Sequence, residues 1–228
     1  MLSVIKKEFK SYFCTPIGYI CIGIFLLAFS FSFYISPYQS GTINFGSIFY
    51  TLPIVISLIL IVALLTMRTF AEEKKNGTDQ LLLTSPVSII SIVFAKFIAA
   101  TLIIVITELC TSLYFGILCF FGVPDIQTSL VVLFGFLLMN MAYISFGILA
   151  SSVTENQIIA GVLTIGFFII NWVLPSINNI FSNYALIDIF SKYVYGQIDI
   201  ADSVTFITFT IMCLILTIIF MQRRKSVR

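Results

Sequence analysis

The sequence predicts an all-α integral membrane protein with six transmembrane helices. Three observations carry this. Of the 228 residues, 60% are hydrophobic and 10% charged, whereas a soluble domain has about half and about a quarter. Apolar runs able to cross a ~30 Å hydrocarbon core recur along the chain, and no polar stretch between them is long enough to fold alone. Six crossings then place eleven basic residues on one side: Lys6, Lys7, Lys10, Arg68, Lys74, Lys75, Lys96, Arg223, Arg224, Lys225 and Arg228. Only Lys192 falls opposite. By the positive-inside rule, both termini are cytoplasmic.

The elements follow in order. In residues 1–15, Leu2, Ile5, Phe9 and Tyr12 recur at helical spacing with Lys6, Lys7 and Lys10 between them. That is a basic amphipathic helix suited to a membrane surface. A signal-peptide start fits less well, because the next apolar run is too long and lacks a small-residue cleavage site. Pro16 opens the first span, 17–34, and Ser36-Pro37 closes it. The second span is 46–67, with Pro53 expected to kink its first third. Residues 87–121 predict one long helix whose membrane part is 97–121, with Lys96 at the cytoplasmic interface. The fourth span is 128–150, followed by a polar loop at 151–157. The fifth is 158–174, stopped by Pro175. Residues 176–203 mix aromatics with Asn178, Asn179, Asp188 and Lys192. They suit short helices at, or dipping into, the outer interface. The last span is 204–221.

One stretch stands apart. Residues 68–86, RTFAEEKKNGTDQLLLTSP, hold six charges among nineteen residues between two apolar spans. Asn76-Gly77 reads as a helix stop, Thr78-Asp79 as the cap of a new short helix, and Ser85-Pro86 as the start of the next span. A charge run is ordinarily a solvated face. Here Leu81, Leu82 and Leu83 follow it, which a plain connector has no need to present. Charge beside exposed leucines points to a docking surface made by Arg68, Glu72, Glu73, Lys74, Lys75, Gly77, Thr78, Asp79, Leu81 and Leu82.

Chemistry within the chain is sparse. There is no histidine, no GxxxxGK[ST] phosphate loop, no HExxH and no Ser/His/Asp set. No catalytic residue, metal ligand or enzyme activity is expected. The five cysteines have no metal spacing, and four lie in apolar runs, where they read as small buried hydrophobes. Glu108 is the one carboxylate deep in a span. Thr101, Glu108, Thr111 and Ser112 share one helical face, which should avoid lipid. With Asn140 on the fourth span they form a possible intramembrane polar site. Contact with a substrate or proton, and bonding to neighbouring helices, both remain open for Glu108. Gly135, Ala142, Gly147 and Ser151, and then Gly161 and Gly166, supply small residues for close helix approach. Asn171-Trp172 reads as an interface anchor.

Two segments carry a family resemblance: KKEFKSYFCTPIGYI at 6–20 and RTFAEEKKNGTDQLLLTSPVS at 68–88. The chain resembles the ABC-2-type transporter permeases, in particular six-span members associated with gliding motility and nitrous-oxide-reductase maturation. The resemblance implies that residues 1–15 are an elbow helix, that residues 72–83 hold a cytoplasmic coupling helix, and that 176–203 holds short outer re-entrant helices. The whole chain, 1–228, would be a single transmembrane domain in a bacterial inner membrane. It implies a separate ATP-binding subunit carrying ATP and Mg, a second permease copy or paralogue, a lipid bilayer around them, and no nucleic acid. This chain would itself bind no cofactor.

The reading is therefore the permease subunit of an ATP-driven exporter. An ATP-independent, proton-linked carrier using Glu108 is the alternative. It would show inverted internal repeats, and residues 1–115 and 116–228 show no convincing one. A membrane anchor or assembly factor of a motility or maturation complex is the third reading.

Overall fold

A computed structural model describes residues 2–35, 45–78, 88–121, 124–177 and 185–227. Among these, every regular element is helical: α1 (Leu2–Cys14), α2 (Ile17–Phe33), α3 (Phe45–Phe49), α4 (Leu52–Thr66), α5 (Ala71–Lys75), α6 (Ile89–Phe121), α7 (Ile126–Val153), α8 (Gln157–Ile177), α9 (Leu186–Val194) and α10 (Ile200–Val227). Five helices are long and apolar enough to cross a membrane. A sixth crossing comes from α2, which meets α1 at a 68° bend. Pro16 stands at that bend, where it has no N–H to continue the helix.

The bundle is built around α7, which packs on α4, α6, α8, α9 and α10. Its central position follows from its small residues. A side chain on Gly147 would stand 2.7 Å from Thr66 Cβ, and one on Gly135 would stand 2.5 Å from Tyr193 Cγ. Both helices can approach only because no Cβ is present. Aromatic rings then fill one end of the core. Phe25 and Phe29 of α2 meet Phe49 of α3 and Phe136 of α7, and Phe190 of α9 closes on Phe136. Further along, Tyr143 stacks on Phe168 at 3.5 Å and Phe146 on Phe167 at 3.9 Å.

Several boundaries differ from the sequence reading. The second span is broken rather than kinked: α3 ends at Phe49, Thr51 is extended, and Pro53 lies in the first turn of α4. A proline there loses nothing, because first-turn N–H groups have no helical partner. Pro175 does not stop α8, which runs to Ile177. So near the end, it removes a single backbone bond. Ser151, Ser152 and Val153 belong to α7 rather than to a loop. The last helix starts at Ile200 and carries Arg223, Arg224 and Lys225 within it. Of the cysteines, Cys21 and Cys213 are buried, whereas Cys14 and Cys119 are exposed.

The two ends of the bundle differ in chemistry. At the end away from the charged stretch, Asp125 caps α7: its carboxylate accepts from Gln127 N at 3.0 Å and from the Thr128 hydroxyl. The hydrogen bond from Thr128 chiefly holds that carboxyl below its usual range. Lys192 of α9 donates to Asp202 of α10 at 2.8 Å, which raises the Lys192 ammonium above its usual range. Asn171 Oδ1 accepts from Leu186 N at 3.3 Å, tying α8 to α9. The former interface anchor is thus divided: Asn171 is buried and bonded, and Trp172 is exposed.

Candidate functional site

The opposite end gathers α1, α5, the start of α6 and the end of α7. Its centre is Lys96. The sequence places this lysine at the rim of α6, projecting. In the structure it is 2% exposed, and its ammonium donates to Glu73 at 2.8 Å, to Glu8 at 3.3 Å and to the Thr69 carbonyl at 2.7 Å. The Phe70 ring lies 5.1 Å away. An ammonium buried beside apolar helices must be compensated, and here two carboxylates and a carbonyl do so. One side chain of α6 thereby ties α1 and α5 together.

A second tie runs to α7. The N–H groups of Phe70 and Ala71 open α5, and such first-turn donors need an outside acceptor. Ser151 Oγ accepts from both at 3.0 Å. Lys74 is buried and donates to the Ser152 carbonyl, and to that of Thr154 at 3.3 Å. Those carbonyls terminate α7, where a cation is favoured. A third tie is the Tyr12 hydroxyl, which donates to the Leu65 carbonyl at 3.0 Å. Arg224 of α10 donates to Glu155 at 2.8 Å on the same end.

The charged stretch is thus divided. Glu73 and Lys74 hold the fold. Lys75, Asn76, Gly77 and Thr78 are exposed, and Arg68 and Glu72 are half-buried. Gly77 has φ +69°, a conformation that favours glycine and lets the chain leave α5 sharply. Thr78 donates back to the Glu73 carbonyl at 3.2 Å. The helix described in this stretch has five residues, so residues 68–78 are helical only in part. Asp79, Leu81 and Leu82, with Leu83, Ser85 and Pro86, lie outside the described residues.

The intramembrane polar residues of α6 share one side of that helix but are not buried together. Glu108 and Thr111 are buried, Thr101 is half-buried and Ser112 is exposed. At 100° per residue, Ser112 lies about 40° to one side of Glu108 and Thr111 about 60° to the other. Glu108 therefore sits at the edge of the buried face, and Ser112 falls beyond it. The hydroxyls bond to their own helix: Thr101 to the Phe97 carbonyl, Thr111 to that of Glu108, and Ser112 to that of Leu109. Asn140 Nδ2 likewise donates to the Phe136 carbonyl. Glu108 Oε1 and Asn140 Oδ1 are buried without a hydrogen-bond partner among the described residues.

A family model described as ABC-2 family transporter protein matches residues 23–221. The chain belongs to this family. It is a multi-pass membrane permease of an ABC transporter. No curated protein matches it. In this ABC-2 permease the residues missed by sequence reasoning are Glu8, Lys96 and Ser151. Two left a signal. Glu8 is the first acid in the chain, in a helix otherwise basic, and no other precedes Glu72. Lys96 is a lone cation in an apolar run. Charges so placed call for partners. Ser151 left none, because its role depends on where α5 docks.

Proposed function

We propose that this chain is the permease subunit of an ATP-driven exporter in a bacterial inner membrane, energised by a separate ATP-binding subunit. That subunit binds the exposed turn at Lys75–Thr78 and the segment after it, including Asp79, Leu81 and Leu82. ATP and Mg are held on the partner. Two permease copies, or one copy and a paralogue, work together, with α1 as the elbow helix on the cytoplasmic face and both termini on that face.

One observation carries this reading. The turn after α5 is free to meet a partner, while α5 itself is fastened to α1, α6 and α7 by Lys96, Ser151 and Lys74. A push on the turn is then transmitted to three helices at once rather than absorbed by a loose connector. The positions for a test follow from the same division. Glu73 and Lys74 are unsuitable, because changing them disturbs the fold. Lys75→Glu combined with Asn76→Glu changes exposed side chains of the turn alone and leaves Gly77 in its left-handed conformation. Copurification of the ATP-binding subunit with the tagged chain should fall about tenfold or more, at unchanged size-exclusion profile. Undiminished copurification would overturn the assignment.

A further inference from the structure

The cleft between α1 and the α4–α5 corner is lined by two residues that each carry an unmet buried polar atom. Among the described residues, Arg68 Nε has no acceptor and Glu73 Oε2 has no donor. Both residues line the same cleft of about 270 Å³, together with Lys7, Glu8, Glu72 and Lys96. A water occupies about 30 Å³ of liquid, so the space is several waters in size. Lys96 is spent on Glu8 and Glu73. The side chains of Lys7 and Glu72 have no ion pair or hydrogen bond among the described residues.

Buried polar atoms without partners ask for a ligand or ordered water. An occupant that matches the lining brings negative charge to Arg68 and Lys7 and positive charge to Glu72 and Glu73. A simple anion satisfies Arg68 but meets Glu72 and Glu73. A simple cation has the opposite difficulty. A zwitterion with a phosphate and a protonated amine answers both. The cleft also lies at the right depth for such a group. It opens beside an amphipathic helix with exposed Lys6, Lys7 and Lys10, at the end where the apolar helices α4 and α6 meet charged residues.

We propose that this cleft binds the headgroup of an amine-bearing phospholipid. Arg68 and Lys7 take the phosphate, for which a guanidinium is well shaped. Glu73 and Glu72 take the ammonium. A quaternary amine has no N–H to donate and leaves Glu73 unmet, so a choline headgroup binds less well. A glycerol headgroup lacks the positive charge.

The test uses the full chain in mild detergent, titrated separately with short-chain phosphatidylethanolamine, phosphatidylcholine and phosphatidylglycerol, with bound lipid counted by native mass spectrometry. The ethanolamine lipid should bind about tenfold more tightly than the other two. Arg68→Gln should weaken it about tenfold. Glu72→Gln should reduce its preference over the glycerol lipid to about threefold or less, being half-exposed. Gln197→Ala, at the opposite end of the bundle, should leave lipid binding unchanged. Glycerophosphoethanolamine separates a lipid site from a site for the free group. Displacement at equal concentration overturns the lipid assignment. Equal binding of the three lipids, or no loss in either variant, means that only water fills the cleft and overturns the proposal. Should Arg68→Gln fail to fold, Glu72→Gln decides alone.

Discussion

Replacing Lys96 with Met removes one buried ammonium while keeping an unbranched side chain of similar length. The structure sets the consequences. Glu73, 20% exposed, and Glu8, 14% exposed, lose the cation between them, and the Thr69 carbonyl loses its donor. Removing one partner of a buried pair costs about 3–5 kcal/mol, because the other charge stays behind. Partial exposure of both carboxylates puts this case at the lower end, about 3 kcal/mol. At this chain length that is about 6–12 °C in apparent Tm. The assay is size-exclusion retention after heating, in one detergent, at neutral and mildly acidic pH. The deficit should shrink in acid, where an unpaired carboxylate is neutralised by a proton. Lys96→Met with Glu73→Gln should recover part of the loss at neutral pH. A Lys96→Met protein that melts within about a degree of wild type at both pH values would refute the latch.

Four further outcomes are expected. Ser151→Ala leaves the N–H groups of Phe70 and Ala71 without their acceptor and should cost about 2 kcal/mol, whereas Ser152→Ala, whose hydroxyl bonds only to the Leu149 carbonyl, should be nearly silent in the same melting assay. Gly147→Ala should cost about 1–3 kcal/mol through contact with Thr66, while Gly166→Ala, with nothing within 4 Å, should leave the melting point unchanged. Glu108→Gln should be neutral or stabilising, since Oε1 has no partner to lose. It should also leave ATP-driven transport in proteoliposomes intact, and loss of transport with retained stability would instead favour the proton-linked carrier. Asp125 has a folded pKa below its unfolded value. Its contribution is therefore present above about pH 4 and is lost as pH falls further. The melting difference between wild type and Asp125→Ala should hold from pH 7 to pH 5 and close only in stronger acid.

The spans were legible because a bilayer leaves little choice. A segment in hydrocarbon must be long, apolar and helical, and the sequence carries that length openly. Helix ends were less legible. Outside the hydrocarbon a polar residue is equally at home in a helix or a loop, so Ser151–Val153 and residues 222–227 continue helices that polarity suggests have ended. A proline inside an apolar run looks internal, so the sequence predicts a kink at Pro53. Its N-terminal placement depends on the break at Tyr50–Thr51, which no local residue pattern announces. The charged stretch was visible as composition, but its division was not. Glu73, Lys74 and Lys75 are adjacent in sequence, and only tertiary contact with Lys96 and the end of α7 separates the two that hold the fold from the one that is exposed. The Glu108 stripe was inferred from spacing alone. Spacing places Ser112 near Glu108 but cannot locate the edge of the packed face between them.

In the function proposed above, energy reaches this permease through the exposed turn after α5. Site-specific crosslinking tests it most directly. In a chain with its five cysteines replaced, Asn76→Cys is placed on that turn and Gln197→Cys at the opposite end of the bundle. Each is treated in native membranes with a short thiol-to-amine crosslinker, and captured partners are identified by mass spectrometry. An ATP-binding-cassette subunit should be crosslinked at position 76 and absent at position 197. Capture at 197 alone, or no ATP-binding subunit at 76 in a folded chain, would contradict it.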